Sequence, residues 1–376
     1  NTDLSTDFQY INETGMPGVT LEYRGEKLST TLETKYVFRN LENTDFLRPN
    51  FSLQRNFNAL EMNYSINYRF SQKAQLRFFY QLNNDPPLLT QVQSFKNVTN
   101  PLNTIVGNPE LKPNNDHSIS LNYNGYDFQK GTGLYAYLYT IFYQDQIVSK
   151  TTINDDLIRE TTYANVNGAH NIYAYLSKSK QVKVDSLRSV NINIGLNTNI
   201  RKLVNFNNGI KYTSNVNTIG PNLGMRLTWK DVMEFGANYN LNFTKNTYDL
   251  EGFKDEEFLT HNLFFNTATF LPKGFEWRNN IRFNYNPNIA PGFNKSAWFW
   301  NSTLAYSVLK DQGTLTLKVY DLLNQNTNAR RTATQNYIED LQTRVLKQYF
   351  MLSFSWKFNN LGKAGETNDR GFRVMY

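Results

Sequence analysis

Apolar and polar residues alternate one for one along many segments of this chain. Between Leu60 and Phe70 every second residue is apolar, and every residue between them is polar. A period of two places successive side chains on opposite faces of a β-strand, so one face of each segment is dry and the other is wet. Similar alternation recurs at residues 192–196, 235–243, 277–285 and 350–358. The chain is therefore expected to consist of long β-strands.

The composition favours strands that cross a membrane. Hydrophobic residues make up 40% of the chain and the mean hydropathy is −0.58. No run approaches the roughly 18 apolar residues that a spanning helix needs, which excludes an α-helical membrane protein. The strands of a membrane barrel contain no such apolar run, because half of their residues are polar. The 27 Phe and 24 Tyr residues suit aromatic belts at the two membrane surfaces.

Charge and cysteine content exclude little except nucleic-acid binding. The net charge is +7 and the pI is near 9.2, but the basic residues are scattered singly and form no dense run. Nucleic-acid-binding proteins concentrate such residues in a patch, so nucleic acid is not an expected partner. Cysteine is absent, which fits an oxidising compartment and many cytosolic proteins equally well.

Connections of two lengths alternate along the chain. Short turns rich in Gly, Asp and Lys are predicted at residues 24–27, 71–73, 129–131, 184–186, 230–231, 272–274 and 310–313. Longer loops rich in Asn, Asp and Pro are predicted at residues 43–55, 84–115, 147–167, 202–213, 247–255, 286–295 and 326–341. Outer-membrane barrels show this alternation, with tight periplasmic turns and long extracellular loops.

Tryptophan positions give the predicted sheet an orientation. Trp229 and Trp277 flank short turns and Trp356 lies near the end of the last predicted strand, whereas Trp298 and Trp300 follow a long loop. The first three are expected at the inner membrane interface and the last two at the outer one, because amphipathic rings favour both levels. Ordinary core packing of these residues is the alternative.

The predicted fold is an all-β, transmembrane, antiparallel up-and-down β-barrel. It occupies residues 1–358 with about 15–16 strands, most of them about 13–16 residues long, followed by a polar tail at residues 359–376. The strand from Leu134 to Tyr143 places Tyr135, Tyr137 and Tyr139 on one face. These rings are expected either to face a wet lumen or to make buried contacts inside it.

Two sequence motifs resemble those of a known family. Residues 106–113 read VGNPELKP and resemble the GNPxLKPE element of TonB-dependent receptor barrels. Residues 318–326 read KVYDLLNQN and look like the DLLN segment of the penultimate strand, while residues 349–358 look like the closing strand of the outer-membrane barrels common in Bacteroidota. The matching positions are Gly107, Asn108, Pro109, Leu111, Lys112, Pro113, Asp321, Leu322, Leu323 and Asn324.

The resemblance implies a larger protein than the one these residues form. Receptors of this family resemble the plugged ~22-stranded barrels, so about six or seven strands, the N-terminal plug domain and any TonB-interacting segment are expected outside this chain. Asn114 stands where the motif usually has an acidic residue, and a polar tail follows the closing strand.

No catalytic constellation is apparent, so an enzyme is not expected. The three histidines, His117, His170 and His261, are far apart in sequence. Asp155–Asp156 and Asp255–Glu257 are acidic groups that are expected to be solvated loop charges rather than a Ca²⁺ site. Arg330–Arg331 is expected to be surface charge, with lipopolysaccharide phosphate as the alternative contact. No cofactor is expected.

The leading functional hypothesis is an outer-membrane, TonB-dependent-receptor-like barrel for uptake of a scarce nutrient. Outer-membrane lipid and lipopolysaccharide are the expected surroundings, with TonB and surface lipoprotein subunits as further candidate partners. Lumen-lining candidates are Asn191, Asn193, Asn197, Arg278, Asn280 and Arg282. Three alternatives remain: a non-transporting structural barrel within an outer-membrane assembly or secretion complex, a complete passive porin whose first and last strands pair, and a soluble adhesin.

Adjacent residues in the alternating segment Leu60–Phe70 test the assignment of faces. Ile66→Arg should cost about 2–4 kcal/mol of folding free energy if Ile66 faces lipid near the midplane, and Asn67→Arg should cost much less. Urea unfolding of both variants in lipid vesicles measures the difference. Equal tolerance of arginine at the two positions would contradict the assignment.

Overall fold

The computed structural model describes residues 7–287, 294–325, 328–333, 338–343 and 347–357. Within these ranges the chain forms 22 β-strands, the four-residue helix α1 (Leu89–Val92) and one 3-10 helix (Pro49–Phe51). No helix in the described part of the chain has the length and apolar character needed to span a membrane. Tyrosine, phenylalanine and β-branched residues on the dry face favour the extended backbone.

The strands follow one another with almost no intervening helix. In chain order they are β1 (Phe8–Gly15), β2 (Gly18–Arg24), β3 (Leu28–Asp45), β4 (Leu53–Ser71), β5 (Ala74–Asp85), β6 (Lys96–Asn97), β7 (Asn103–Val106), β8 (Asn114–Asp127), β9 (Thr132–Gln144), β10 (Gln146–Ile153), β11 (Arg159–Val166), β12 (His170–Lys183), β13 (Arg188–Asn207), β14 (Ile210–Trp229), β15 (Met233–Tyr248), β16 (Glu256–Thr269), β17 (Phe275–Tyr285), β18 (Ser296–Val308), β19 (Gly313–Tyr320), β20 (Asn328–Ala333), β21 (Ile338–Thr343) and β22 (Tyr349–Trp356).

One antiparallel sheet contains 16 of these strands. Its order is β1-β3-β4-β5-β8-β9-β12-β13-β14-β15-β16-β17-β18-β19-β22, and β2 also pairs with β3. Because β1 and β2 share one side of β3, the sheet has about fifteen strand positions, as predicted. Strand lengths range more widely than predicted, from 7 residues in β2 to 20 in β13 and β14.

The two edges of this sheet do not meet in the described residues. There, β22 pairs with β19, and β1 and β2 pair with β3. The porin alternative predicted that the first and last strands pair with each other, and that prediction is wrong for this structure. The sheet is thus an open part of a barrel wall.

Strand register assigns every residue to one of two faces. Ile66 pairs with Thr30 and Phe78, while the next residue, Asn67, pairs with Ser29 and Arg77. When the paired residues are followed from strand to strand, the apolar positions of all strands lie on the same side of the sheet. We call this side the apolar face and the opposite side the polar face. The apolar face includes Ile66, Leu138, Leu176, Ile194, Leu223, Phe265, Phe283, Leu317 and Leu352.

All seven predicted short turns are confirmed. They join β2 to β3, β4 to β5, β8 to β9, β12 to β13, β14 to β15, β16 to β17 and β18 to β19. All seven lie at the same end of the sheet because the strands between them run antiparallel. We call this the inner end, since outer-membrane barrels place their short turns on the periplasmic side, and we call the opposite end the outer end.

The prediction of a loop at residues 202–213 is wrong. Strands β13 and β14 run through it and are joined by Asn208 and Gly209, whose φ angles are +46° and +80°. Two central residues with positive φ form the hairpin turn that matches the twist of a sheet, and Asn-Gly is its preferred sequence. The outer end therefore carries a long hairpin at this position.

Three other predicted loops contain regular structure. Residues 84–115 include α1, β6 and β7, and residues 147–167 include most of the hairpin β10–β11. These strands form a second sheet in the order β10-β11-β7-β6, in which β11 and β7 run parallel. Residues 326–341 include β20 and the start of β21, which pair only with each other in the described residues.

Substitution at the hairpin turn tests its role. Gly209→Val forces a β-branched residue into the left-handed region and brings its Cβ to within 3.2 Å of the Thr152 methyl carbon. We expect a loss of about 1–2 kcal/mol in unfolding free energy. Heat-modified gel mobility and urea titration measure it, and Asn208→Gly, which keeps the turn, is the control. Equal stability of the two variants would contradict the assigned turn.

Candidate functional site

The polar face carries a dense set of asparagines. From Asn191 to Asn199 the polar-face residues of β13 are four asparagines and Gly195, and all six lumen candidates named above lie on this face. On β14 and β15 the polar face continues with Asn222, Asn238 and Asn240. A wall of neutral amides offers many donors and acceptors without fixed charge.

Glycines allow these amide side chains to lie flat across neighbouring strands. The Asn197 amide donates to the Gly220 carbonyl at 2.8 Å. A Cβ added at Gly220 would overlap the side chains of both Asn197 and Asn242. Gly195 is covered in the same way by Asn222, whose Oδ1 would lie 2.5 Å from an added Cβ. Gly195 and Gly220 are therefore needed for the close approach rather than for unusual backbone angles.

A band of five tyrosines borders the asparagines on the same face. Tyr135, Tyr137 and Tyr139 of β9 face the polar side together with Tyr173 and Tyr175 of β12. Ring centroids are 6.0 Å apart for Tyr135–Tyr175 and 6.1 Å apart for Tyr137–Tyr173, and Asn122 donates to the Tyr135 hydroxyl at 2.9 Å. The rings are partly exposed. The rings contact one another on the polar face, and their exposure to a water-filled lumen stays a prediction.

Two arginines on the polar face are paired or stacked. Arg39 binds Glu61 at 2.8 Å and the Asn84 amide oxygen at 2.7 Å. Arg278 pairs with Glu276 and lies 5.7 Å from the Phe270 ring centroid. These contacts hold both guanidinium groups against the sheet.

The GNPELKP segment, residues 107–113, lies directly before β8 at the outer end. The Asn108 side chain donates to the Tyr163 carbonyl at 3.0 Å, and its backbone amide donates to the Gln91 carbonyl at 2.6 Å. Lys112 and Asn165 exchange two hydrogen bonds, of 2.8 and 2.9 Å. The segment therefore contacts α1 through main-chain groups and the β10–β11 hairpin through hydrogen bonds between a side-chain amide and the main chain.

Other residues of the same segment are buried against β4. Leu111 is 0% exposed, and the Arg55 guanidinium donates to the carbonyls of Pro109 and Leu111. A Cβ on Gly107 would overlap backbone atoms of Gln93. The segment thus has a structural role at the outer end, where it contacts α1, β4 and the β10–β11 hairpin.

The first outer connection packs on the second. Arg48 lies 3.8 Å from the Phe95 ring centroid and 5.4 Å from that of Phe51, and it binds the fully buried Asp45 carboxylate at 3.3 Å. Lys96 pairs with Glu160 of β11 at 2.6 Å. Residues 46–52, 86–113 and 145–169 together with the tip of β13–β14 form what we call the outer platform.

The tip of the β13–β14 hairpin contacts the β10–β11 part of this platform. Gly209 donates its amide to the Thr151 carbonyl at 3.0 Å, and the Ile153 amide binds the Asn208 side chain at 2.9 Å. Val166, Ala169 and Val204 form a buried cluster beneath the hairpin β10–β11. This small core lies at the outer end, above the regular two-faced sheet.

The loop between β15 and β16 joins the same assembly. The Asp249 carboxylate accepts a hydrogen bond of 2.6 Å from the Thr213 hydroxyl and a second one from the backbone amide of Thr213. These hydrogen bonds hold the pKa of the Asp249 carboxyl below its ordinary value. The Phe253 ring lies 5.7 Å from Tyr212, which is buried. The outer connections are therefore linked from residue 46 to residue 253.

The DLLN residues form a turn at the outer end of β19. Asp321 is 4% exposed with φ +48°, and its carboxylate accepts the Gln325 amide at 3.0 Å. The Leu322 amide binds the Trp300 carbonyl at 2.8 Å, and the Asn324 amide binds the Asp321 carbonyl at 2.8 Å. Leu323 remains exposed. This motif ends a strand and contacts its neighbour, away from the asparagine wall.

The tryptophans lie near strand ends on the apolar face. Trp229 ends β14, Trp356 ends β22, and Trp277 is the third residue of β17, all towards the inner end. Trp298 and Trp300 lie near the outer end of β18. The ring nitrogens of Trp277 and Trp300 donate to Ser302 and Asn279 at 2.9 and 3.0 Å. Their contact with the membrane interface stays a prediction.

Potential metal ligands are dispersed through the described residues. His117 and His261 bind the hydroxyls of Tyr80 and Tyr239 at 2.9 and 2.7 Å, and His170 lies near Phe142. Within the ranges that the structure covers, no group of three or more His, Cys, Asp and Glu residues has the arrangement of a metal site. The Arg330–Arg331 side chains and residues 359–376 lie outside the described part of the chain.

Sequence reasoning missed the glycine positions and the outer platform. Gly195, Gly220 and Gly224 occur at polar-face positions opposite asparagines, a signal that is visible only when neighbouring strands are aligned. The Asn208–Gly209 pair was a local signal for the hairpin. By contrast, Tyr163 and Asn165 contact the GNPELKP segment from far along the chain, and no local pattern predicts this.

Comparison with known proteins gives a family match over most of the chain. Residues 18–356 match the model described as the outer membrane protein beta-barrel family. No curated protein gives a significant match to the sequence. Among solved structures the chain is similar to BauA, the ferric preacinetobactin receptor from Acinetobacter baumannii, at 9% identity and a TM-score of 0.36. That match covers 95% of this chain and 60% of BauA, so the chain spans less than two thirds of that receptor's length.

Two further solved structures show weaker similarity. The outer membrane transporter YddB from Escherichia coli is 10% identical with a TM-score of 0.28, and the match covers 93% of this chain and 69% of YddB. OpdL from Pseudomonas aeruginosa is 10% identical with a TM-score of 0.25, and the match covers 93% of this chain and 96% of OpdL.

A glycine substitution tests the role of the GNPELKP segment. Gly107→Ala should displace the segment from α1, because the added Cβ overlaps backbone that cannot move freely. We expect protease cleavage within residues 86–113 on intact cells to rise at least tenfold, since such cleavage requires local opening. Gly236→Ala is the matched control, because its Cβ meets nothing closer than 3.9 Å. Unchanged protection in Gly107→Ala would show that the segment does not hold the platform.

Proposed function

This chain belongs to the outer membrane protein beta-barrel family, and we propose that it forms the wall of a TonB-dependent-receptor-like barrel that takes up a scarce nutrient. It lies in the outer membrane as an antiparallel β-sheet with one apolar and one polar face. The observation that carries the proposal is the neutral amide wall on the polar face, from Asn191 to Asn199 and across to Asn240. A scaffold that encloses no passage would gain nothing from an extended hydrated inner surface.

The proposed mechanism separates a fixed wall from a moving part. Main-chain ladders and the outer platform keep the wall and the outer entrance in one arrangement. A plug domain outside this chain would fill the space beside the polar face, and force transmitted by TonB would displace it. The neutral amides exchange hydrogen bonds readily with a moving polar surface, whereas a fixed array of opposite charges would hold it.

The open edges of the sheet fit this proposal. Strands β1, β2 and β22 each leave one side unpaired in the described residues. Unpaired backbone groups are very costly in hydrocarbon, which supports a wall that further strands complete in the membrane. A barrel of about 22 strands would have room for a plug.

Ion conductance distinguishes the proposed receptor from the alternatives. In planar bilayers the full gene product should show no steady K⁺ conductance, because a plug occupies the lumen. Deletion of the plug should open a pore of large conductance. Steady conductance of the intact protein would favour a passive porin and overturn the proposal.

Binding to the periplasmic domain of TonB separates a receptor from a structural subunit. The full gene product should bind the purified domain, and the same protein lacking the region before this barrel should not. A protein without conductance that also fails to bind TonB would support the alternative of a structural barrel subunit in an outer-membrane assembly or secretion complex.

A further inference from the structure

An open groove interrupts the apolar face between β8, β9, β12 and β13. Its volume is about 240 Å³, and its lining is almost wholly apolar. The groove exists because two small side chains lie where the neighbouring positions carry larger ones. Residues on its walls include Leu121, Ala136, Leu138, Ala174, Leu176 and Leu196.

The register explains the shape of the groove. Ala136 of β9 pairs with Leu176 of β12, and Leu138 of β9 pairs with Ala174 of β12. Each alanine therefore faces a leucine on the adjacent strand, and the leucines form walls on either side of the two methyl groups. An elongated apolar depression of this size suits a segment of one hydrocarbon chain.

Two lysines continue the same face towards the inner end. Lys178 and Lys180 follow Leu176 at steps of two residues, so they lie about 7 and 13 Å further along β12. Both side chains are exposed. The Lys180 ammonium donates to the Lys130 carbonyl in the inner turn at 2.7 Å. This contact marks the inner interface, and Lys178 can extend its stem towards the same level.

Acidic residues in the nearby turns do not neutralise these lysines. Asp127 pairs with Lys73 at 3.2 Å, and Asp185 pairs with Arg188 at 2.6 Å. In the part of the chain that the structure describes, neither Lys178 nor Lys180 forms an ion pair with a carboxylate. Ammonium groups on a lipid-facing surface are costly unless an anion compensates them.

We propose that this groove and the two lysines form a binding site for one anionic phospholipid of the inner leaflet. One acyl chain lies between the leucines over Ala136 and Ala174. The phosphate of the headgroup lies at the inner interface, within reach of Lys178 and Lys180. The site is independent of the substrate, since it lies on the face opposite to the asparagine wall.

Charge and shape are tested separately by two variants of the full gene product. The first is Lys178→Gln with Lys180→Gln, and its control is Lys211→Gln, an exposed lysine at the outer end of β14. The second is Ala136→Leu, which fills the groove, and its control is Ala237→Leu on the apolar face of β15. Heat-modified gel mobility confirms that each variant is folded.

Native mass spectrometry in detergent micelles measures bound dioleoylphosphatidylglycerol and dioleoylphosphatidylcholine. Each lysine near a headgroup contributes about fivefold, so the double variant should bind phosphatidylglycerol roughly 30-fold more weakly. Its affinity for phosphatidylcholine should change much less. Ala136→Leu should weaken the binding of both lipids. Both control variants should bind the two lipids as strongly as the unmodified protein does.

Three results would overturn the proposal. Unchanged phosphatidylglycerol binding in the double variant would remove the headgroup contact. Unchanged binding in Ala136→Leu would remove the acyl-chain groove. If the protein retains lipopolysaccharide instead of phospholipid, and if the double lysine variant and Ala136→Leu lose this lipopolysaccharide, the site belongs to the other leaflet.

Discussion

The structure depends on the need to pair every backbone amide and carbonyl within the sheet. Hydrocarbon offers no hydrogen-bonding partner, and each unpaired group costs several kcal/mol in it. Long antiparallel ladders meet this need, and their register leaves no freedom in the choice of face. Ile66 and Asn67 are neighbours in sequence, yet they lie on opposite faces of the sheet. A shift of one residue would place a row of asparagines in lipid.

The same constraint limits how the polar face is built. Strands in a ladder are about 4.8 Å apart, so asparagine side chains on adjacent strands compete for space. Gly195 and Gly220 relieve this crowding by leaving room for an amide from the next strand. The result is a flat polar surface whose hydrogen bonds run partly to its own backbone. Flatness and neutrality are properties of the pairs of residues rather than of the asparagines alone.

The sequence predicted the transmembrane part of the sheet well, because lipid and water impose opposite demands on alternate residues. Alternation failed above the membrane. At residues 202–213 the hairpin packs protein on both sides, with Val204 and Tyr212 both buried, so its residues show no simple period of two. The segment was predicted as a loop because of its polar, asparagine-rich composition. The strands there are as regular as elsewhere, and only their surroundings differ.

The outer platform shows what a linear pattern leaves out. The GNPELKP segment was found through its resemblance to a family motif, but its partners Tyr163 and Asn165 lie more than fifty residues away. Such contacts depend on which connections meet above the sheet. The inner turns, by contrast, were each predicted from the sequence, because the local backbone conformation of a tight turn favours residues such as Gly and Asp.

The contacts of the GNPELKP segment with the β10–β11 hairpin have a consequence for the ionic surroundings of the cell. Asn108 to Tyr163 and Lys112 to Asn165 are hydrogen bonds between neutral amides and carbonyls. Salt screens exposed ion pairs over distances of about 10 Å at 0.1 M, but it has little effect on hydrogen bonds between neutral groups. The contacts between the GNPELKP segment and the β10–β11 hairpin should therefore persist from fresh water to brine.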